Sequence, residues 1–285
     1  RFAQDSELRT IKQDAFACSS FHSIEIPSIV DNLEEGWCNE IMYVTNVTVS
    51  PKNQNYSLFD GKFIVGKSSK EKDNFDVLIF SVRNIENPKI PNFIETIGQF
   101  SFAECRKLKH VEISPNSNLQ IIDKSAFAVS SIESIKIPPH LTKICENAFC
   151  YCVYLQEIQI PSNSDLQIIE KNAFFWSSIN SIEIPSKVIE LEEGWCNEAN
   201  NLNSIFVSPS NQNFASIDDK IIVGKSSQDK KEFDVLLFSV RNIKEVQIMD
   251  SIEIIGPHAF ANCEEITNFE KSTHSKLRII MKESF

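Results

Sequence analysis

The chain has 285 residues, and its 42% hydrophobic content can build a large core and is too high for a disordered segment. A net charge of −11 argues against a basic face for nucleic acid or an anionic membrane, and no apolar run is long enough to cross a bilayer. Phenylalanine is abundant at 21 and glycine scarce at 7, and neither a G-x-G-x-x-G nor a Walker pattern is present to cradle phosphate, so a structural or binding protein is the leading class.

In chain order, the first clear element is Ser23-Ile24-Glu25-Ile26-Pro27, a short strand in which apolar and polar residues alternate and proline ends the run. Leu33–Glu40, with Glu34, Glu35 and Trp37, reads as a turn. Residues 53–84 form an insertion that looks like two strands and a loop, Asn53–Val65 and Phe75–Phe80, joined by the polar stretch Gly66–Asn74. Three compact units follow, Leu119–Pro138, Leu141–Pro161 and Leu166–Pro185, each closing with a strand rich in β-branched isoleucine. From there the chain repeats itself. Ser181–Pro185 copies Ser23–Pro27, Leu191–Glu198 copies Leu33–Glu40, and Phe238–Ile243 copies Phe80–Ile85, all at the constant offset of 158 residues that separates Trp37 from Trp195. The duplication relates 1–127 to 159–285 and gives a second insertion at 211–242. Here Asp218-Asp219 replaces Asp60-Gly61, so the second hairpin turn is expected to differ, because a positive φ suits Asp less well than Gly. Lys271, in a slot otherwise apolar, predicts a frayed or shortened last strand.

A shorter template runs inside each block: L-x-x-I, then A-F-x-x-C/S, then L-x-x-I-x-I-P. It recurs around Phe16, Phe102, Phe127, Phe149, Phe174, Phe260 and Phe285, with Trp37 and Trp195 read into the same slot. Spacings of 21–25 residues, broken twice by 65 where an insertion sits, are the signature of stacked coils. Stacking in one direction pairs the strands in parallel and turns the phenylalanines into an internal ladder, each worth roughly 1.5–3 kcal/mol of burial. The phenylalanine count therefore needs no ligand. Both ends fall inside a repeat and Arg1 follows no leader pattern, so the chain is expected to be a fragment.

These residues carry a family resemblance. The pattern L-x-x-I-x-x-x-A-F-x-x-C-x-x-L-x-x-I-x-I-P, clearest in the units ending at Pro138, Pro161 and Pro185, resembles the BspA-like leucine-rich repeats, in register along essentially the whole chain. The resemblance implies one solenoid spanning 1–285: an α/β-type repeat dominated by β, right-handed, with a parallel concave sheet and two hairpin insertions projecting from it. It also implies a cell-surface or secreted protein of bacteria or parasitic protists that adheres to host cells or matrix. The richness in Ile, Asn, Lys, Phe and Ser suits an AT-rich genome and favours the protist branch. The alternative is an intracellular, cytoplasmic scaffold or spacer. On the concave strands the outward positions are Glu25, Thr48, Glu112, Lys136, Gln159, Glu183 and Phe206, with His110 and Glu157 in the neighbouring row, and these nine form the expected protein-binding face. Phe206 is its one bulky apolar anchor.

Chemical sites have weaker claims. Cys105, Cys152 and Cys263 share a slot with Ser19, Ser130 and Ser177, which marks a small buried position rather than a nucleophile. Cys18 and Cys38 are the best candidates for a disulfide between coils. His140 with Cys145, Cys150 and Cys152 fits no zinc spacing, and neither H-E-x-x-H nor G-x-S-x-G occurs, so no metal, cofactor or catalytic residue is assigned. The acidic pairs Glu34-Glu35 and Glu192-Glu193 read as solvated turns, with calcium as the lesser alternative. Asn46-Val-Thr48 and Asn55-Tyr-Ser57 are N-glycosylation sequons, lost in the second block.

Overall fold

The computed structural model describes residues 6–285; the expected cut at Arg1 lies outside them. Among the described residues there is no helix, and so none able to cross a membrane. The β-dominated solenoid is thus entirely β, its walls joined by turns where an α/β repeat would place helix.

Each regular coil contributes two short strands to two different sheets. The I-x-I segments pair with the next coil in parallel: Ser23–Ile26 with Asn46–Val49, His110–Val111 with Ser134–Lys136 and then Glu157–Gln159, and Ser181–Ile184 with Ser204–Val207. Isoleucines of these strands point into the coil, as in Ile24, Ile135, Ile158 and Ile182, while their polar neighbours line the outside. The L-x-x-I segments form the second sheet. Thr96–Ile97, Ile121–Ile122, Lys143–Ile144, Ile168–Ile169 and Glu190–Leu191 stack in parallel without a break.

The insertions do not project. Tyr56–Phe59, Phe63–Gly66 and Val77–Ser81 run antiparallel to one another, and the last pairs in parallel with Thr96–Ile97, extending the second sheet to eight strands. Every residue of Phe63–Gly66 is buried, and Phe63 meets Phe102 edge to face at 6.2 Å. The apolar runs of the hairpin replace a missing coil wall instead of facing solvent. The second block repeats this with Phe214–Ile217, Ile221–Gly224 and Val235–Ser239. Its Asp218-Asp219 turn keeps the first geometry. Asp60 and Gly61 have φ of 50° and 63°, Asp218 and Asp219 have 51° and 53°, and both turns close through Lys62 N–H to Phe59 O and Lys220 N–H to Ile217 O. The expected difference is absent because Asp219 O also accepts from Ile205 N–H at 2.7 Å, which ties the turn to the face strand.

The aromatic ladder runs through the centre. Phe102, Phe127, Phe149 and Phe174 are fully buried and stack at 5.0, 5.1 and 5.4 Å with nearly parallel planes. The reading of Trp37 and Trp195 in the phenylalanine slot is corrected. Phe127 N–H donates to Ala148 O and Phe149 N–H to Ala173 O, so each phenylalanine bonds the alanine of the next coil. Phe174 N–H donates instead to Trp195 O, which puts Trp195 in the alanine slot and Cys196 in the phenylalanine slot. Backbone conformation agrees. Left-handed residues lie two before and two after each phenylalanine, as in Asn147 and Tyr151 around Phe149, and Gly194 and Glu198 flank Cys196 in the same way. The indole reaches the core from one position earlier, meeting Phe174 edge to face, and the small cysteine leaves it room.

Two kinds of polar side chain inside the coils find their partners in the turns. Asn53 donates from Nδ2 to Pro27 O and Val30 O and accepts from the N–H groups of Asn55 and Tyr56, and Asn211 does the same in the second block. Buried Arg83 stacks 4.2 Å from the Phe80 centroid and donates to the carbonyls of Ile41, Ser101 and Phe100. The last face strand, Asn268–Lys271, is neither frayed nor short: all four residues pair with Glu245–Ile248, and all four are exposed. Parallel main-chain pairing is indifferent to the Lys271 side chain, which simply stays in solvent.

Candidate functional site

Face strands place the nine expected residues on one side of the solenoid, but group only some of them. Lys136 and Gln159 are direct cross-strand neighbours, as are Glu25 with Thr48 and Glu183 with Phe206. Lys136, Glu157, Gln159 and Glu183 together line a groove of about 660 Å³ with Ile137, Ile160 and the prolines that end each strand. Glu157 accepts from Gln159 Nε2. Among the described residues Lys136 and Glu183 make no ion pair, so both charges are available to a partner. Glu25 and Thr48 line a separate pocket of about 340 Å³ with Phe16 and Phe21. His110, Glu112 and Phe206 lie outside both. His110 Nδ1 is 2.8 Å from Ser134 Oγ, Glu112 pairs with Lys89 Nζ at 2.7 Å, and Phe206 stands 43% exposed.

Sequence reasoning missed Lys89 and the strand Glu245–Ile248, whose Gln247 and Glu245 continue the two outward rows. Asn-Pro-Lys-Ile at 87–90 and Glu-Val-Gln-Ile at 245–248 are equivalent segments. Pro88 lacks the N–H a strand needs, leaving one isolated bridge between Lys89 and Glu112 in the first block where the second has a full strand.

A second surface was also missed. Val129, Tyr151 and Trp176 sit two residues after consecutive ladder phenylalanines, at φ of 59°, 56° and 52°, and all are exposed. Tyr151 stacks on Trp176 at 5.6 Å and meets Phe175 at 5.4 Å. Left-handed backbone is uncommon for a β-branched or aromatic residue. Cys18, Glu104 and Asn262 fill this slot in other coils, so three bulky residues in succession were the available signal.

The remaining candidates have structural roles. All eight cysteines are free. The suggested Cys18–Cys38 bond is not formed, because Cys38 points into the core while Cys18 points out and donates to Glu40 Oε2 at 2.8 Å. Burial pushes the Cys152 and Cys196 thiols up to about 12 and Cys38 to about 11, which suits packing and not nucleophilic attack. His140 Nδ1 contacts Asp165 at 3.0 Å. In the acidic pairs, Glu34 accepts from Gln13 N–H and Glu192 from Lys171 N–H, each fastening one coil to the one before. Asn46 is exposed at the start of its strand and Asn55 half-buried at the hairpin entry.

A parallel-sheet solenoid with an aromatic ladder, an extended polar face and an apolar groove defines a leucine-rich-repeat protein. The particular kind follows from the sequence profile of the BspA type leucine rich repeat region, which matches residues 2–62, 74–203, 120–227 and 231–285. The chain belongs to that family. Solved structures share the fold. The pneumococcal vaccine antigen PcpA superposes with a TM-score of 0.61 at 16% identity, over 81% of this chain and 71% of that one. A leucine-rich repeat protein from Eubacterium ventriosum gives 0.62 at 18% identity, over 78% and 57%. A leucine rich cell surface protein from Faecalibacterium prausnitzii gives 0.51 at 18% identity, over 92% and 69%. No curated protein sequence matches the chain.

Proposed function

We propose that this chain is the non-enzymatic, protein-binding portion of a cell-surface or secreted protein, and that its partner is a host surface or matrix protein. The observation that carries the reading is the groove over three adjacent face strands, where the unpaired charges of Lys136 and Glu183 share the lining with apolar residues. Fixed charges around an apolar lining are the anatomy of a protein interface, in which the apolar centre supplies affinity and the charges supply register. Structural likeness to the pneumococcal antigen and to a bacterial cell-surface protein supports surface display. Asn46 and Asn55 are the residues that would carry glycan in a secretory pathway.

Two measurements test this. Surface labelling of intact cells should tag the protein, and a protein that stays inside defeats the reading in favour of an intracellular scaffold. Binding of the purified chain to a panel of matrix glycoproteins should then find a basic partner whose affinity falls at least tenfold on Glu112→Lys with Glu183→Lys. Unchanged affinity removes the face from the interaction.

A further inference from the structure

The two blocks share a buried arginine but treat it differently. In the first, the free edge of the Arg83 guanidinium is used: Nε donates to Ile41 O at 2.8 Å and Nη2 to Phe100 O at 3.2 Å. The Phe100 ring also covers Gly36, whose added Cβ would meet Phe100 Cε2 at 3.6 Å. In the second block Phe100 becomes His258 and Gln99 becomes Pro257. Arg241 keeps its stacking on Phe238 at 4.4 Å and its Nη1 bond to Ser239 O. Among the described residues its Nε and Nη2 have no hydrogen-bond partner, and the residue is only 5% exposed. The space the phenylalanine ring covers in the first block is open in the second as a pocket of about 170 Å³, walled by Trp195, Phe238, Leu237, Gly194, His258 and Arg241 itself.

A buried guanidinium with two unmet donors on one edge is a standing cost, and that edge presents the fork to which a carboxylate binds through both oxygens. No carboxylate of the described residues lies within ion-pair distance of Arg241. The nearby acids turn to other partners: Glu192 accepts from Lys171 N–H, and Glu193 Oε1 and Glu283 Oε2 lie 3.4 and 3.6 Å from His258 Nε2. Trp195, Phe238, Leu237 and Leu191 make one side of the wall apolar, while Glu192, Glu193 and Asn197 line the other. We propose that the Arg241 pocket of the second block binds a small carboxylate with an apolar or aromatic tail, its carboxylate seated on Nε and Nη2 and its tail against Trp195 and Phe238. The site is independent of the protein-binding face and is absent from the first block, where Phe100 occupies it.

Benzoate is a suitable probe on the whole chain, read through the indole N–H signal of Trp195 in a ¹H–¹⁵N spectrum and assigned with Trp195→Phe. Expected is a saturable shift of that signal by benzoate, with benzamide at least tenfold weaker because it lacks the charge. His258→Phe restores the residue that fills the first block. It should abolish the benzoate shift while leaving Arg241 and the thermal midpoint in place, so loss of binding is separable from loss of folding. A Trp195 signal that benzoate does not move, or moves without saturation, means the pocket holds water only and overturns the proposal. So does benzoate binding that survives His258→Phe, or inorganic phosphate binding as tightly as benzoate, since phosphate has no tail for the apolar wall.

Discussion

Phe149 offers the sharpest test of how the coils are held together. Its ring is fully buried and stacks between Phe127 at 5.1 Å and Phe174 at 5.4 Å. Phe149→Ala removes a burial term of about 1.5–3 kcal/mol and two stacking contacts of about 0.5–1.5 kcal/mol each. A loss of about 3–5 kcal/mol is expected, the usual range for this substitution in a core that cannot collapse around the gap. Phe206→Ala is the control, since that ring is 43% exposed and stacks on no other among the described residues, and its loss should stay below about 1 kcal/mol. Guanidinium unfolding measures both. Because coils contact only their neighbours, amide exchange should also quicken locally, at the Phe127, Phe149 and Tyr151 N–H groups that bond to Ala148, Ala173 and Phe175, and not in the hairpin Phe214–Gly224. Equal losses for the two variants, or protection falling uniformly along the chain, would refute a nearest-neighbour ladder.

Other expectations can be checked alongside. Val129→Asn should stabilise the chain by up to about 1 kcal/mol, because Asn tolerates the left-handed backbone that a β-branched residue resists; a lower thermal midpoint would count against strain at that turn. Burial pulls the Asp76 carboxyl up, but hydrogen bonds from Lys72 and Ser68 bring it net below its usual 3.8, and Asp234 behaves likewise with Ser226 and Lys230. With the folded value depressed, this stabilisation is full above about pH 4 and is lost as pH falls through the folded value. Exchange in the 67–75 loop should therefore rise in acid, and Asp76→Asn should abolish that pH response. Thiol titration of the native chain should find Cys18 first and half-buried Cys263 second, with the six buried cysteines silent until unfolding. The hydrogen bond to Glu40 and its charge raise the Cys18 thiol, so Glu40→Gln should speed its reaction; an unchanged rate would discard that contact.

Much of the architecture was legible because it is periodic. Ile-x-Ile-Pro and Ala-Phe recur often enough to give the coil length, the parallel pairing and the buried phenylalanines. Matching aromatic to aromatic puts the tryptophan coils one residue out of register. Counting forward from the isoleucine of L-x-x-I puts alanine four residues on in Ile144–Ala148 and tryptophan four on in Leu191–Trp195, which is the register the hydrogen bonds show. Hairpin packing was less accessible, since alternating apolar residues in 53–84 say that one face is covered without saying by what. Of the face residues, the strand positions were readable from period two, whereas the groove depends on how neighbouring coils pack side by side. The Arg241 pocket could not be read from one block alone; it appears when Phe100 and His258 are compared at equal positions around a conserved geometry.

The hydrogen bonds that join coil to coil have a mechanical consequence. Bonds such as Phe102 N–H to Ala126 O run along the stacking direction. Tension applied along that direction loads them one coil at a time, as in unzipping, and never shears a long row at once. A chain built this way yields in small steps under load, lengthening by one coil's worth of chain at each. The antiparallel hairpins, joined to the wall through Val77–Ser81 on Thr96–Ile97 and Val235–Ser239 on Ile254–Ile255, are the points at which that peeling should pause.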